Sequence, residues 1–293
     1  MQFKRTATFL GLACGTVLAI STSAQAASFT TSVSQKIDPK ADIWLKSITQ
    51  NGVTVDKFNL INEAKGNIIF NDSINLTGKP GETGNPNAGG FNNNTGAAST
   101  DRGDNASKPN GLEVSGIKDP TSAEIATYLG NTNMNNIIDT EDTGSSEVNL
   151  FFTYLLQKDN TGLDNIFIWE RGKNSDLAIQ AIDEKGNLIG NHVKLNRAAQ
   201  TDAGYKIDTT EIVGAQNVGS WGINFTQLGV TSAAGIRLRT ETGFNGPDYK
   251  VMARLGSDPV VRTKIPEPAT LVGLGLVGAS LVVSRRRKLS QVC

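Results

Sequence analysis

The chain has 293 residues, with 28 Lys and Arg balanced by 28 Asp and Glu, two Cys and one His. A lone histidine excludes histidine-based metal clusters. Any Ser-His-Asp arrangement would have to be built around His192, whose neighbours Gly190-Asn191-His192-Val193-Lys194 form no nucleophile or base motif and place it on a strand surface.

In chain order, residues 1–26 carry the three parts of a secretory signal peptide: Lys4 and Arg5, the apolar stretch 9–20, and Ala24-Gln25-Ala26 with small residues at −3 and −1. Signal peptidase cleavage after Ala26 is the expectation. The apolar core, about 12 residues, is too short for a spanning helix and no stop-transfer pattern follows it. Residues 27–264 are then the secreted portion. Its first part reads as strands over 42–49, 53–61 and 67–70. Asn51-Gly52 between the first two predicts a type I′ hairpin turn, because both central positions need positive φ. Trp44 and Phe58 are expected in the core.

Residues 78–110 are dominated by Gly, Asn, Thr, Ser and Pro, with one aromatic, Phe91. Such a stretch cannot bury a core and predicts a flexible insertion. Arg102-Gly103-Asp104 within it is a tripeptide that composition alone explains. A short helix follows at about 121–129. Thr121 or Ser122 caps it, Glu124 completes a capping box with Thr121, and Gly130 stops it. Ile125, Tyr128 and Leu129 form its apolar stripe.

From Glu147 onward, segments 148–156, 165–171, 176–183, 187–195, 205–209, 218–225, 235–241 and 249–255 are rich in β-branched and aromatic residues and separated by Gly or Asn turns. This spacing predicts an antiparallel β-sandwich or jelly roll. Arg237 and Arg239 alternate with Ile236 and Leu238, giving one wet and one dry face. Glu170 and Arg171, adjacent on a strand, point to opposite faces and need separate partners.

The C-terminal residues 265–293 combine Pro266-Glu267-Pro268, the uncharged run 271–283, and Arg285-Arg286-Arg287-Lys288. The prolines bar a helix from extending back past them. The apolar run, as a helix of ~1.5 Å per residue, is a short transmembrane segment, and the cations after it favour the cytoplasmic side. A plain C-terminal anchor is the simpler alternative. The triad of Pro-Glu-Pro, apolar helix and basic cluster resembles the PEP-CTERM sorting signal. That resemblance implies that a membrane-embedded exosortase recognises Pro266, Glu267 and Pro268 and removes the tail. It also implies a product outside the cytoplasmic membrane, commonly associated with exopolysaccharide. Ile265 replaces the usual Val. The block 164–177 with Ile179-Gln180-Ala181-Ile182-Asp183 looks like a motif of a cyanobacterial group of exosortase-dependent surface proteins, a likeness that implies no activity.

Discarding both ends removes six cations and both cysteines, Cys14 and Cys293, and leaves a net charge near −6 over residues 27–268. An acidic portion disfavours nucleic acid and, without cysteine, has no disulfide or thiol chemistry. For catalysis, Glu170, Asp176, Asp183 and Glu211 are the available carboxylates for a glycan hydrolase, which needs a pair ~5–9.5 Å apart. Calcium is the candidate cofactor, with oxygen ligands at Asp139 and Asp142 and at Asp159 and Asp164. Neither loop fits the EF-hand pattern. The expectation is therefore a secreted, exosortase-processed surface or matrix protein with a structural or binding role and no enzymatic activity. One alternative is a carbohydrate-binding module, calcium-assisted, in which Trp169, Trp221 or Tyr249 stacks on sugar. The other is a glycan-active hydrolase.

Overall fold

The computed structural model describes residues 28–34, 42–67, 122–138, 140, 145–207 and 215–262. The expected signal peptide, the insertion 78–110 and the sorting tail lie outside them. Within the described residues the chain is mainly β: three antiparallel sheets and two short helices.

β7 (Ile166–Arg171) lies at the centre, and all six of its residues are buried. Ile-Phe-Ile-Trp offers no polar alternation, which is the pattern of a strand covered on both faces. It pairs with β11 (Gln216–Ile223) on one side and β13 (Asp248–Arg254) on the other. With β10 (Thr201–Ile207) and β4 (Phe58–Asn59) at the edges, this makes a five-stranded sheet in the order β10-β11-β7-β13-β4.

The second five-stranded sheet runs β5-β6-β12-β8-β9, from β5 (Ile61–Asn67), β6 (Ser146–Gln157), β8 (Leu177–Ile182), β9 (Leu188–Leu195) and β12 (Ser232–Thr240). One core joins the two sheets. Ile166 and Ile168 of β7, Trp221 of β11 and Val251 of β13 meet Leu150 and Phe152 of β6, Ile179 of β8 and Ile236 and Leu238 of β12. The wet and dry faces of β12 fall as the alternation predicts: Ile236 and Leu238 are buried, while Arg237 and Arg239 reach Glu147.

The other face of β7 turns Phe167 and Trp169 toward a small third sheet of β1 (Thr30–Val33), β2 (Leu45–Gln50) and β3 (Val53–Val55). Phe29 closes that layer, edge-on to Phe167 at 5.0 Å and to Trp169 at 5.6 Å. β2 and β3 are joined by Asn51 and Gly52 with φ of 51° and 77°, the predicted turn. Trp44 corrects the sequence reading, because it is 45% exposed. Its neighbours Ile43 and Leu45 are buried, and alternation along an extended chain points Trp44 the other way.

Helix α1 (Ser122–Leu129) sinks Ile125, Tyr128 and Leu129 into the inter-sheet core as its stripe predicts. Gly130 follows because a Cβ there would meet the carbonyls of Ala126 and Ile61 at 2.5 and 2.6 Å. Helix α2 (Phe225–Leu228) is a single turn with a capping box between Asn224 and Gln227 and has no counterpart in the sequence-based expectation. The eight strands expected from Glu147 onward all form, and β10 begins four residues earlier than expected.

Candidate functional site

An open groove of about 520 Å³ lies at one corner of the two large sheets, lined by Lys158, Asp159, Gly162, Leu163, Asn224 and Gln227 among others. A smaller cavity adjoins it, sharing Lys158, Asp159 and Asn165 and adding Arg254 and Asp258. The loop after β6 and the α2 turn after β11 form its walls, because both leave their sheets at the same end. Asn165 fixes this corner: its side chain accepts from Phe225 N at 3.1 Å and donates to Gln157 O at 3.3 Å.

Arg254, at the end of β13, holds the groove floor. Its Nη2 donates to Asp159 Oδ2 at 2.6 Å and its Nε to the Asp164 carbonyl at 3.2 Å. Burial acts to raise the Asp159 carboxyl, but hydrogen bonds from Thr161 and Arg254 outweigh it and hold the carboxyl below its ordinary value. Asp164 behaves oppositely. Burial raises it, against hydrogen bonds from Gln50 and Asn224 and the charge of Arg254. Its Oδ2 accepts from Gln50 Nε2 at 2.6 Å, which ties β2 to this corner.

The two calcium candidates Asp159 and Asp164 both meet Arg254, the first through its carboxylate and the second through its main-chain carbonyl. Among the described residues no group of three His, Cys, Asp or Glu is placed to hold a metal. Asp139 and Asp142 lie outside the described residues. Asp159 is therefore engaged in an ion pair and the Asp164 carboxylate in hydrogen bonds from Gln50 and Asn224, and a hard cation would have to displace these partners to use them.

The stacking aromatics are corrected by burial. Trp169, Trp221 and Tyr249 are 1%, 0% and 1% exposed. Trp169 donates its indole N–H to Thr31 Oγ1 at 2.9 Å in the outer core, and Trp221 donates to Asn196 O at 3.0 Å in the inter-sheet core. Large aromatics with a satisfied polar tip are the natural filling of such layers. No sugar reaches them. Of the three tryptophans, Trp44 alone presents an accessible ring.

The candidate catalytic carboxylates do not meet. Asp176 and Asp183 sit at opposite ends of β8, which at ~3.3 Å per residue separates them by roughly 23 Å. Asp176 is bound by Lys194 and Arg197, and Asp183 caps its own turn through Lys185 N and Asn187 N. Glu170 is fully buried, and Glu211 lies outside the described residues. His192 is exposed on β9. No known protein family, curated protein or solved structure matches the chain. What the groove offers is an ammonium, a carboxylate already neutralised by arginine, and amides engaged in capping. Such a wall presents hydrogen-bonding groups to the groove.

Proposed function

We propose that the chain is a secreted, exosortase-processed surface or matrix protein whose β-sandwich domain has a structural or binding role alongside extracellular polysaccharide. The observation that carries this reading is the ordered triad of Pro266-Glu267-Pro268, the apolar run 271–283 and Arg285-Arg286-Arg287-Lys288. It stands opposite an N-terminal signal whose cleavage point follows Ala24 and Ala26.

The folded portion is consistent with delivery outside the membrane. The described chain ends anchored, with Arg262 donating to Glu63 and lying over the Phe151 ring at 4.6 Å. Only Thr263 and Lys264 separate that anchor from Ile265. A processing enzyme at Pro266 would therefore act directly beside a finished domain. Among the described residues no helix is long and apolar enough to cross a membrane. The tail segment 271–283, which lies outside those residues, is assigned the transient membrane insertion. Burial of Trp169, Trp221 and Tyr249 removes them from any polysaccharide contact, so the binding role falls to the polar groove around Lys158 and Gln227 and to Trp44.

The test is mass spectrometry of the native extracellular protein. An N-terminus at Ala27 and a C-terminus within or just after the Pro-Glu-Pro segment are expected. A mature protein that still contains the Arg285–Cys293 peptide would overturn the exosortase assignment and leave a plain anchor.

A further inference from the structure

Glu170 carries the least comfortable carboxyl among the described residues. Its Oε2 accepts from Gln200 Nε2 at 3.0 Å and from the Asn174 backbone N–H at 3.2 Å. Gln200 gives its other Nε2 hydrogen to the Ser175 carbonyl at 3.1 Å, so two acceptors fix the orientation of its carboxamide. That leaves Glu170 Oε1 and Gln200 Oε1, both buried and both without a hydrogen-bond partner. On an ionised glutamate both atoms are acceptors and neither can satisfy the other. One proton resolves both vacancies.

The neighbouring strand is shaped for this pair. Gly219 of β11 lies opposite Glu170 in the register, and a Cβ on it would stand 1.8 Å from Gln200 Oε1. Only glycine leaves room for the carboxamide to lie beside the acid.

We propose that Glu170 is held as the neutral acid, its Oε1 hydroxyl donating to Gln200 Oε1, and that this acid–carboxamide ring is a pH-sensitive clamp. It joins the turn after β7 to the start of β10. The turn in turn holds the loop before β13, since Ser175 Oγ donates to the Asn245 carbonyl at 2.6 Å. Removing the proton puts a charge beside an orphaned amide oxygen, and the clamp opens.

The surrounding charges agree. Arg171 points to the opposite face of β7 and is committed to Asp248, with Nη2 to Oδ2 at 2.6 Å. Tyr249, opposite Glu170 on β13, is a buried phenol. Lys173 reaches Asp202 at 3.9 Å, and Asp176 is bound by Lys194 and Arg197. Burial first, then the negative charge of Asp248, push the Glu170 carboxyl up to about 8, against Gln200, Ser175 and Arg171. The fold therefore binds this proton more tightly than the unfolded chain, whose glutamate titrates near 4.5. Stability from this source is complete below that value and declines as pH rises toward about 8. The clamp is independent of how the chain is exported.

The full chain, labelled with ¹³C at the glutamate carboxyls, tests this by NMR. One Cδ resonance is expected to titrate near pH 8 while the others titrate in the ordinary glutamate range, and E170Q, whose amide can still pair with Gln200, should lack it. The folding constant of the wild type should fall by up to about tenfold per pH unit across the window relative to E170Q. If every glutamate Cδ in the wild type titrates in the ordinary range, the proposal is overturned, whether or not E170Q folds. Equal pH slopes for wild type and a folded E170Q would overturn it as well.

Discussion

Lys250 Nζ donates to the Tyr128 carbonyl at 2.7 Å, and so a fully buried amine on β13 closes the C-terminal end of helix α1. A second contact runs to Asn131 Oδ1 at 3.3 Å. An N–H donor at a helix C-terminus satisfies one of its free carbonyls. Among the described residues Lys250 forms no ion pair, and burial holds its amine well below the ordinary lysine value of 10.5.

The sign of the resulting pH dependence follows. The unfolded chain keeps its Lys250 proton to higher pH than the fold does, so stability rises with pH between the folded value and 10.5. Against K250M, the wild type should gain up to ~1.4 kcal/mol per pH unit in that window. Urea unfolding of both proteins at a series of pH values measures this. A difference that stays constant with pH would mean that the amine is charged in the fold.

Among the described residues, Arg171 and Asp248 form the most deeply buried ion pair, with side chains 2% and 8% exposed. Both Nε and Nη2 of Arg171 reach Asp248 Oδ2, at 2.9 and 2.6 Å. Removing one partner leaves a charge stranded beneath the small third sheet. D248N is expected to cost about 3–5 kcal/mol, while the double substitution R171M/D248L should cost less than the two single losses added together. Chemical denaturation of the three variants checks this. Because Asp248 also contributes to raising Glu170, D248N should shift the Glu170 titration downward.

Much of the fold was legible because it is local. Repeated β-branched segments between Gly and Asn turns marked the strands from β6 to β13, and Asn51-Gly52 fixed one hairpin outright. The order β10-β11-β7-β13-β4 was not legible, since non-sequential pairing depends on which faces fit. That β1 joins the β2–β3 hairpin into a third sheet over β7 was not legible for the same reason, although Ile-Phe-Ile-Trp in β7 already signalled burial on both faces. The Asn224-x-x-Gln227 capping box was a readable sign of α2. At the site, sequence spacing could not reveal that Arg254, 90 residues beyond Asp164, meets both the Asp159 carboxylate and the Asp164 carbonyl.

That arginine makes a direct prediction about calcium. Millimolar calcium should leave the melting temperature of the wild type unchanged, because Arg254 already holds the Asp159 carboxylate and the Asp164 carbonyl. In R254A the two carboxylates lose their counter-charge, and calcium should raise the melting temperature by preferential binding to the fold. Calorimetry with and without the ion separates the cases. A calcium-dependent rise in the wild type would instead place a site elsewhere, with residues 139–142 the first to probe.

Three glycines should rank by what stands in the way of a new methyl group. At Gly235, where the β12 and β6 register shifts, a Cβ would lie 2.1 Å from the Leu150 carbonyl and 3.0 Å from Phe151 Cα, all backbone. Neither strand can yield there without breaking the ladder, so G235A should cost the ~1–3 kcal/mol of an overpacked core. At Gly219 the obstacle is the Gln200 side chain, which can swing away at the expense of the Glu170 clamp. G219A should cost less than G235A and move the Glu170 titration, because Gln200 is one of the groups that sets it. At Gly243 nothing lies within 4 Å, and only the positive φ of 88° opposes substitution, worth roughly 1–2 kcal/mol. Urea midpoints should therefore fall in the order G243A, G219A, G235A, from least to most destabilised. A G219A protein whose Glu170 titration did not move would show that the carboxamide does not need the space that glycine leaves.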